Sequence, residues 1–190
     1  MPPFNLSGSL RRLKPEKHTS PLNLRNDAEL TFVDDEPLAG PALLLDSTVY
    51  IHVLTGKTPA KVDQLLEIRT LNHSAVVVGE LTSRLGSRVP RDNRERQARA
   101  RLIEAIHEIP DYRVLVPTVV NWGEAGVISG IVARLGGYPS GRTQDDLNDA
   151  LIFLQASANG IAVLTANIGH FDRLQQLQPD ARVLFYRTNP

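Results

Sequence analysis

The chain has 190 residues, no cysteine, 42% hydrophobic and 22% charged residues, and a formal net charge of zero. These values are typical of one globular domain, and the lack of cysteine excludes disulfides, thiolate zinc sites and a cysteine nucleophile. No apolar run approaches the roughly 20 residues of a membrane span, and the first residues form no apolar signal segment. We therefore expect a cytoplasmic protein without a membrane partner, in which any polyanion binds a local basic patch.

Residues 1–40 differ in composition from the rest of the chain. Prolines recur through them without sustained periodicity, and the segment is basic up to residue 27 and acidic from residue 28 to residue 36. We interpret residues 1–40 as an irregular extension, either partly disordered or wrapped over a domain formed by residues 41–190.

Short apolar runs alternate with helical patterns from residue 42 onward. Residues 42–45 form a wholly apolar run that is typical of a buried parallel strand. Helical stretches follow it directly and again over residues 59–71. Residues 75–78 allow two interpretations, because three valines favour a strand whereas Ser74 can cap a helix that runs to Leu85.

The alternation continues to the end of the chain. Asp92 with Glu95 resembles a capping box at the start of a helix, and the helix over residues 118–135 ends at a glycine pair. Another helix starts at Thr143 and runs to about residue 159. The remaining apolar segments favour short strands over residues 114–116, 161–164 and 183–186. This order predicts an α/β fold with a mostly parallel sheet that is flanked by helices on both faces.

Acidic side chains stand where such a fold gathers ligands, outside the carboxyl ends of its strands. Asp46 follows the first apolar strand, and its alternative role is to cap the helix that starts near Ser47. Asp149 precedes a stretch that is apolar all round, so its carboxylate needs a partner or a metal ion. Asp145 and Asp146 lie in the first turn of that helix, where the helix dipole also favours surface acids.

Glu80 and the segment after residues 161–164 complete the candidates. Glu80 follows a valine run, which is unusual for a carboxylate, although a salt bridge or simple exposure would also explain it. Asn167, His170 and Asp172 follow the end of a predicted strand. His170 has the alternative interpretation of an ordinary loop histidine.

Four segments in this order resemble a PIN-domain nuclease, and most closely the VapC-type toxins of bacterial type II toxin–antitoxin pairs. The resemblance extends over residues 42–187, and its specificity comes from the order and separation of the motifs. The segments are Leu-Leu-Leu-Asp46-Ser47, Val-Val-Val-Gly-Glu80-Leu, Asn148-Asp149-Ala-Leu-Ile, and Leu-Thr165-Ala-Asn167 leading to His170-Phe171.

The resemblance implies a PIN-like, Rossmann-like domain that cuts RNA with Mg²⁺ or Mn²⁺, forms a homodimer and is inhibited by a cognate antitoxin protein. It makes Asp46, Glu80 and Asp149 the catalytic acids that bind the metal. Ser47 and Thr165 match hydroxyl residues beside the first and last motifs. The ligand types agree with this, because Mg²⁺ prefers hard oxygen donors, and no cysteine or histidine cluster favours zinc.

The fourth acidic position departs from the family pattern. The family often has an aspartate after the threonine, or an asparagine there with an aspartate just before the phenylalanine. This chain has Asn167 and His170 at those places, and Asp172 comes one residue after the phenylalanine. Asn167, His170 and Asp146 are therefore the candidates for a fourth or supporting position. The alternative function is a non-catalytic PIN-fold module that binds RNA or protein.

Arginines dominate residues 84–101. We expect Arg91, Arg94 and Arg99 to bind RNA phosphates, with a solvated or subunit-contact face as the alternative. Trp122, the only tryptophan, is expected in the core rather than as a platform for base stacking. The arginines of the segment are Arg84, Arg88, Arg91, Arg94, Arg96, Arg99 and Arg101.

Two further alternatives concern the acids. A phosphohydrolase with Asp46 as nucleophile would need a second aspartate two residues later, where Thr48 stands.

For the antitoxin, we expect a basic side chain beside the acids and an apolar groove formed by residues 59–71 and 74–85. The alternative source of that basic side chain is the chain's own N-terminus, with Arg11, Arg12 and Lys14.

Overall fold

The computed structural model describes residues 4–137 and 143–188, with the backbone alone for Thr143. Within these residues, five strands form one sheet and eight α-helices pack around it. The strands are β1 (Leu43–Leu45), β2 (Leu71–Ser74), β3 (Val114–Leu115), β4 (Ala162–Thr165) and β5 (Val183–Phe185). The helices are α1 (Leu6–Leu13), α2 (Ser47–Thr55), α3 (Ala60–Ile68), α4 (Ala75–Ser87), α5 (Asn93–His107), α6 (Val119–Leu135), α7 (Thr143–Ala158) and α8 (Ile168–Leu177).

The sheet has the order β3-β2-β1-β4-β5, and all of its pairs are parallel. The central strand β1 pairs with β2 and β4, so that Leu45 aligns with His73 on one side and Leu164 on the other. All three leucines of β1 are buried because helices cover both faces of the sheet. The predicted parallel α/β fold is confirmed.

The structure decides the ambiguous segment after Ser74 in favour of a helix. The hydroxyl of Ser74 accepts a hydrogen bond from the backbone N–H of Val76 at 3.1 Å and so caps α4. Strand β2 just before it was not predicted, since its sequence LNHS lacks an apolar run. Its buried polar groups find partners instead. His73 Nδ1 hydrogen-bonds the hydroxyl of Tyr50, and the Ser74 hydroxyl donates to Gln155 at 2.5 Å.

Residues 4–41 lie over the domain and include a helix, α1, that the sequence pattern did not predict. Two turns are too few to give a clear periodic signal. The arm is fixed to α6 because the Ser9 hydroxyl donates to Glu124 at 2.6 Å and Arg12 forms an ion pair with the same carboxylate. It is fixed to α8 by Arg25, whose Nε lies 2.6 Å from Oδ1 of Asp172. None of the described helices is both long enough and apolar enough to cross a bilayer.

Candidate active site

The carboxyl ends of the parallel strands open into a cleft of about 920 Å³. Its floor is the start of α2, directly after β1, and its walls come from α4, the β3–α6 connection, α7 and the β4–α8 connection. Six of the predicted site residues line it although they come from distant parts of the chain. They are Asp46, Ser47, Glu80, Asp149, Asn167 and His170.

Asp46 both caps α2 and faces the cleft, so the two roles that its position suggests coexist. Its Oδ1 accepts a hydrogen bond from the backbone N–H of Ser47 at 2.7 Å. Its Oδ2 accepts hydrogen bonds from the hydroxyls of Thr48, at 2.6 Å, and Thr165, at 2.7 Å. Thr165 is fully buried at the end of β4. The carboxylate is therefore held in one orientation by the start of α2 and by the end of β4.

Asp149 is held from the opposite side of the cleft floor by the β4–α8 region. Its Oδ2 lies 3.1 Å from Nδ2 of Asn167 and 2.6 Å from Nδ1 of His170. The pKa of Asp149 is raised to about 7, mainly by burial and also by the negative charge of Asp46, while the hydrogen bond with His170 opposes the rise. His170 is itself buried in α8, so the interpretation as an ordinary loop histidine is wrong.

Glu80 occupies the α4 wall. Its Oε1 accepts a hydrogen bond from Nδ2 of Asn148 at 2.9 Å. Burial raises the pKa of Glu80, hydrogen bonds with Ser47 and Asn148 oppose that rise, and the charge of Asp46 adds to it. The three acids thus interact electrostatically across one cleft, and each ionised carboxylate makes ionisation of another less favourable.

The acids and histidines are not arranged as a closed metal-binding cluster. Among the residues that the structure describes, no group of three or more such side chains has the geometry to hold a metal ion. Asp146 is buried one turn before Asp149, with Oδ1 at 3.5 Å from Nδ1 of His170. It lies behind His170 rather than on the cleft surface.

Asp172 does not join the site. It is fully buried on α8 and accepts hydrogen bonds from the backbone N–H of Arg25 at 2.9 Å and from its Nε at 2.6 Å. Its role is to hold the N-terminal arm. Its position shortly after a strand suggested a place in the site. However, Asp172 lies inside α8, two residues after His170, so its side chain points to another face of the helix than that of His170.

The arginines of residues 84–101 are spread over α4, α5 and the connection between them, and only Arg84 of this group lines the acidic cleft. Arg91 is bound to Glu95, with Nη2 at 2.6 Å from Oε1. Arg99 donates from Nη1 to the backbone oxygen of Leu85 at 2.5 Å. Arg94 is exposed on α5. The structure therefore does not bring Arg91, Arg94 and Arg99 to the acids.

Trp122 is not a core residue, contrary to expectation. Its side chain lies in the first turns of α6, is 49% exposed and lines the cleft together with Val116. A single tryptophan in an apolar helix gave no signal of this exposure, because α6 is hydrophobic on several faces.

The N-terminal cations are also not in the cleft. Arg12 binds Glu124 on the outer side of α6, and neither Arg11 nor Lys14 lines the site.

Two residues that hydrogen-bond the acids of the site were not predicted from the sequence to do so. Thr48 holds Asp46, and Asn148 holds Glu80. The spacing of Thr48 two residues after a helix-capping acid is a signal that was present, since side chains at the start of a helix commonly bond the capping residue. The amide of Asn148 gave no comparable signal, because its partner is 68 residues away.

The cleft with its three interacting carboxylates lies at the carboxyl edge of a parallel α/β sheet, which is where folds of this class bind ligands. The sequence matches no protein-family model and no curated protein. Among solved structures, VapBC2 from Rickettsia felis, bound to a DNA fragment from its promoter, matches with a TM-score of 0.53 and 15% identity over 77% of this chain and 99% of that one.

A second match is FitAcB from Neisseria gonorrhoeae, with a TM-score of 0.51 and 20% identity over 75% of this chain and 96% of that one. At these identities the likeness is one of fold. It confirms the α/β fold that the resemblance of the four motifs implied.

Proposed function

We propose that the chain is a metal-dependent ribonuclease that acts as the toxin of a toxin–antitoxin pair. The observation that carries this proposal is the convergence of Asp46, Glu80 and Asp149 on one open cleft. Burial and mutual repulsion raise the pKa of Asp149 and of Glu80. A divalent cation offsets such repulsion, so carboxylates that disfavour each other's ionisation suit a metal site.

The donor set fits Mg²⁺ or Mn²⁺. Asp149 uses Oδ2 for Asn167 and His170, and no described donor bonds its Oδ1, so that oxygen remains for an ion. From the described residues, Oδ1 of Asp46 accepts one hydrogen bond, which leaves a lone pair for an ion. Asp46, Glu80 and Asp149 would hold the ion, which when bound would polarise the scissile phosphate and lower the pKa of a water molecule.

The chain's own residues supply orientation and charge. Thr48 and Thr165 fix the carboxylate of Asp46, and His170 fixes that of Asp149, so neither has to reorganise when substrate enters. Arg84 places a cation in the same cleft, where it can bind a backbone phosphate. The alternative of Asp46 as a phosphate-accepting nucleophile is tested by an attempt to trap a phosphoaspartate.

The test is cleavage of single-stranded RNA with Mg²⁺ or Mn²⁺ and with EDTA. We expect cleavage only with metal, and we expect Asp46→Asn and Asp149→Asn to reduce it to background while the fold persists. Asp111→Asn is the matched control, because Asp111 is an exposed acid outside the cleft. Full activity in Asp149→Asn would contradict the proposed site.

The proposed partner is a small antitoxin protein that inserts a guanidinium between Asp46 and Asp149, since a planar guanidinium can bind two carboxylates at once. The structural neighbours that are named as VapBC2 and FitAcB support a paired protein. An apolar groove of about 470 Å³ could take its hydrophobic face. This groove is lined mainly by α2, β2 and the end of α5 with the segment that follows it, together with Leu66 of α3. The groove of residues 59–71 and 74–85 stays a prediction.

The partner is tested by purifying the chain alone and together with the product of the adjacent reading frame. Metal-dependent RNA cleavage by the chain alone, with loss of cleavage in the complex, is the expected result. Equal cleavage by both preparations would reject an inhibitory partner. Sedimentation of the chain alone tests the homodimer that the resemblance implies.

A non-catalytic RNA-binding module is the second candidate. It is favoured by His170, which binds Asp149 where the resembling family often has an acid, and by the lack of a closed acid or histidine cluster in the described residues. RNA binding that is salt-dependent, without turnover in Mg²⁺ or Mn²⁺, would select this candidate.

A further inference from the structure

We propose that Trp122 is a stacking platform for an unpaired nucleobase next to the scissile phosphate. This inference rests on the proposed function, because it takes the acidic cleft to be the site that receives RNA. It goes further by naming the side chain that recognises the base.

The placement of Trp122 gives the cleft an aromatic wall. Its indole is 49% exposed and lines the cleft with Val116 and Pro117, and Val116 itself is 73% exposed. β3 is an edge strand and β1 is central, so this apolar wall stands toward the edge of the sheet, whereas Asp46 follows the central strand. A nucleotide whose phosphate reaches the acids can therefore place its base against the wall on the β3 side of the same cleft.

The turn that carries Trp122 is held rigidly on both sides. Thr118 and Asn121 form a reciprocal cap, in which the N–H of Asn121 donates to the Thr118 hydroxyl at 3.1 Å and the N–H of Thr118 donates to Asn121 Oδ1 at 2.9 Å. The next residue, Gly123, lies against the ring of Phe4, so closely that a Cβ there would collide with the ring. The indole is therefore presented by fixed backbone, which lowers the entropy lost on binding.

The chemistry of the cleft favours a nucleobase over other occupants. Arg84 can bind a phosphate and the acids can hold a cation, so the apolar surface shares its cleft with groups that suit a nucleotide backbone. Every base has an aromatic face, so stacking tolerates any sequence. In an RNA duplex the faces of the bases are covered by neighbouring bases, whereas loops and single strands can place a base on an aromatic side chain.

Trp122 is the only tryptophan, so its fluorescence reports this contact directly. The full chain in EDTA is titrated with a short single-stranded RNA, with the same RNA carrying abasic sites, and with a duplex of the same composition. We expect strong quenching with the single strand and little with the abasic strand or the duplex. Quenching that depends on protein concentration without RNA would instead make Trp122 part of a protein interface and would overturn the proposal.

Substitution provides a second measurement. Trp122→Ala should weaken single-strand binding by roughly 5- to 150-fold, the range for loss of one base–aromatic stacking contact, and Trp122→Phe should restore most of the affinity. In cleavage assays the same Trp122→Ala change should raise KM more than it lowers kcat. The matched control is Tyr112→Ala, which removes an aromatic side chain that is 82% exposed outside the acidic cleft.

The outcomes separate this inference from the proposed function. Metal-dependent cleavage with unchanged RNA affinity in Trp122→Ala would overturn the stacking platform and leave the nuclease intact. Stacking without cleavage would support the platform and reject the nuclease in favour of the binding module. Absence of both RNA binding and cleavage would reject both proposals.

Discussion

Nδ1 of His170 lies 2.6 Å from Oδ2 of Asp149, so an imidazole holds a buried carboxyl group whose pKa is raised to about 7. In the resemblance to PIN-domain nucleases, His170 stands at a position that is often acidic. A donor there stabilises the ionised form of Asp149, whereas another acid would oppose it. The contact therefore compensates part of the repulsion from Asp46 and Glu80.

The first prediction concerns the pH dependence of stability. Asp149 binds its proton more tightly in the folded chain than in the unfolded chain, so the stability that this provides is present at low pH and is lost as pH rises through about 7. Asp149→Asn cannot ionise. In EDTA, the free energy of unfolding of Asp149→Asn minus that of the unsubstituted chain should increase by more than about 1 kcal/mol between pH 5 and pH 8. Urea unfolding measures this, and a difference that does not vary with pH would contradict it.

The second prediction concerns Thr165, which is buried behind Asp46. Thr165→Val removes the hydrogen bond to Oδ2 of Asp46 and the one that the Thr165 hydroxyl accepts from the backbone N–H of Asn167. It leaves the hydrogen bonds that Asp46 accepts from Thr48 and Ser47. Loss of such a supporting contact typically lowers metal affinity or activity by about 10- to 100-fold. We expect a fall of that size in Mn²⁺ affinity and RNA cleavage, and recovery in Thr165→Ser. Equal loss in the valine and serine variants would assign Thr165 to packing.

The third prediction concerns attachment of the N-terminal arm. Arg25→Ala leaves the fully buried carboxylate of Asp172 without its guanidinium and should destabilise the fold by about 1–3 kcal/mol. The matched control is Arg187→Ala, since the pair of Arg187 with Asp27 is exposed on both sides and contributes at most about 1 kcal/mol. Equal effects in urea unfolding would mean that the buried pair does not anchor the arm.

The fourth prediction concerns phosphate contacts. Arg84→Ala should weaken RNA binding and flatten the plot of log affinity against log salt by about 0.7, the value for one single-strand phosphate. Arg91→Ala should change the slope less, because Arg91 is paired with Glu95 away from the cleft. An unchanged slope in Arg84→Ala would exclude a phosphate contact. Binding by Arg94 and Arg99 stays a prediction, which the same measurement tests.

The sequence predicted the fold better than it predicted the surroundings of the site. Apolar strands such as residues 43–45 are visible because burial on both faces demands an unbroken apolar run. Strand β2 was missed because His73 and Ser74 are buried with polar partners that come from α2 and α7. Exposure of Trp122 and the turning away of Asp172 depend on tertiary packing, which one sequence does not encode as a local pattern.

The three acids of the cleft were found because each stands beside an apolar run, where an ionised group is costly without a partner. Several supporting residues, among them Thr165 and His170, were named from the resemblance, whereas the contacts that they make could not be derived from the sequence pattern. The hydroxyl of Thr165 reaches Asp46 across 119 residues, and the amide of Asn148 reaches Glu80 across 68 residues. Such pairs follow from the strand order rather than from any spacing along the chain.

The strand order also bears on the synthesis of the protein. β1 lies between β2 and β4, and β4 begins only at residue 162, so the edge of β1 that faces β4 has no partner until most of the chain has been translated. Asp149 and both of its polar neighbours, Asn167 and His170, belong to the same late part. A nascent chain that has not yet reached residue 170 therefore lacks a complete acidic cleft.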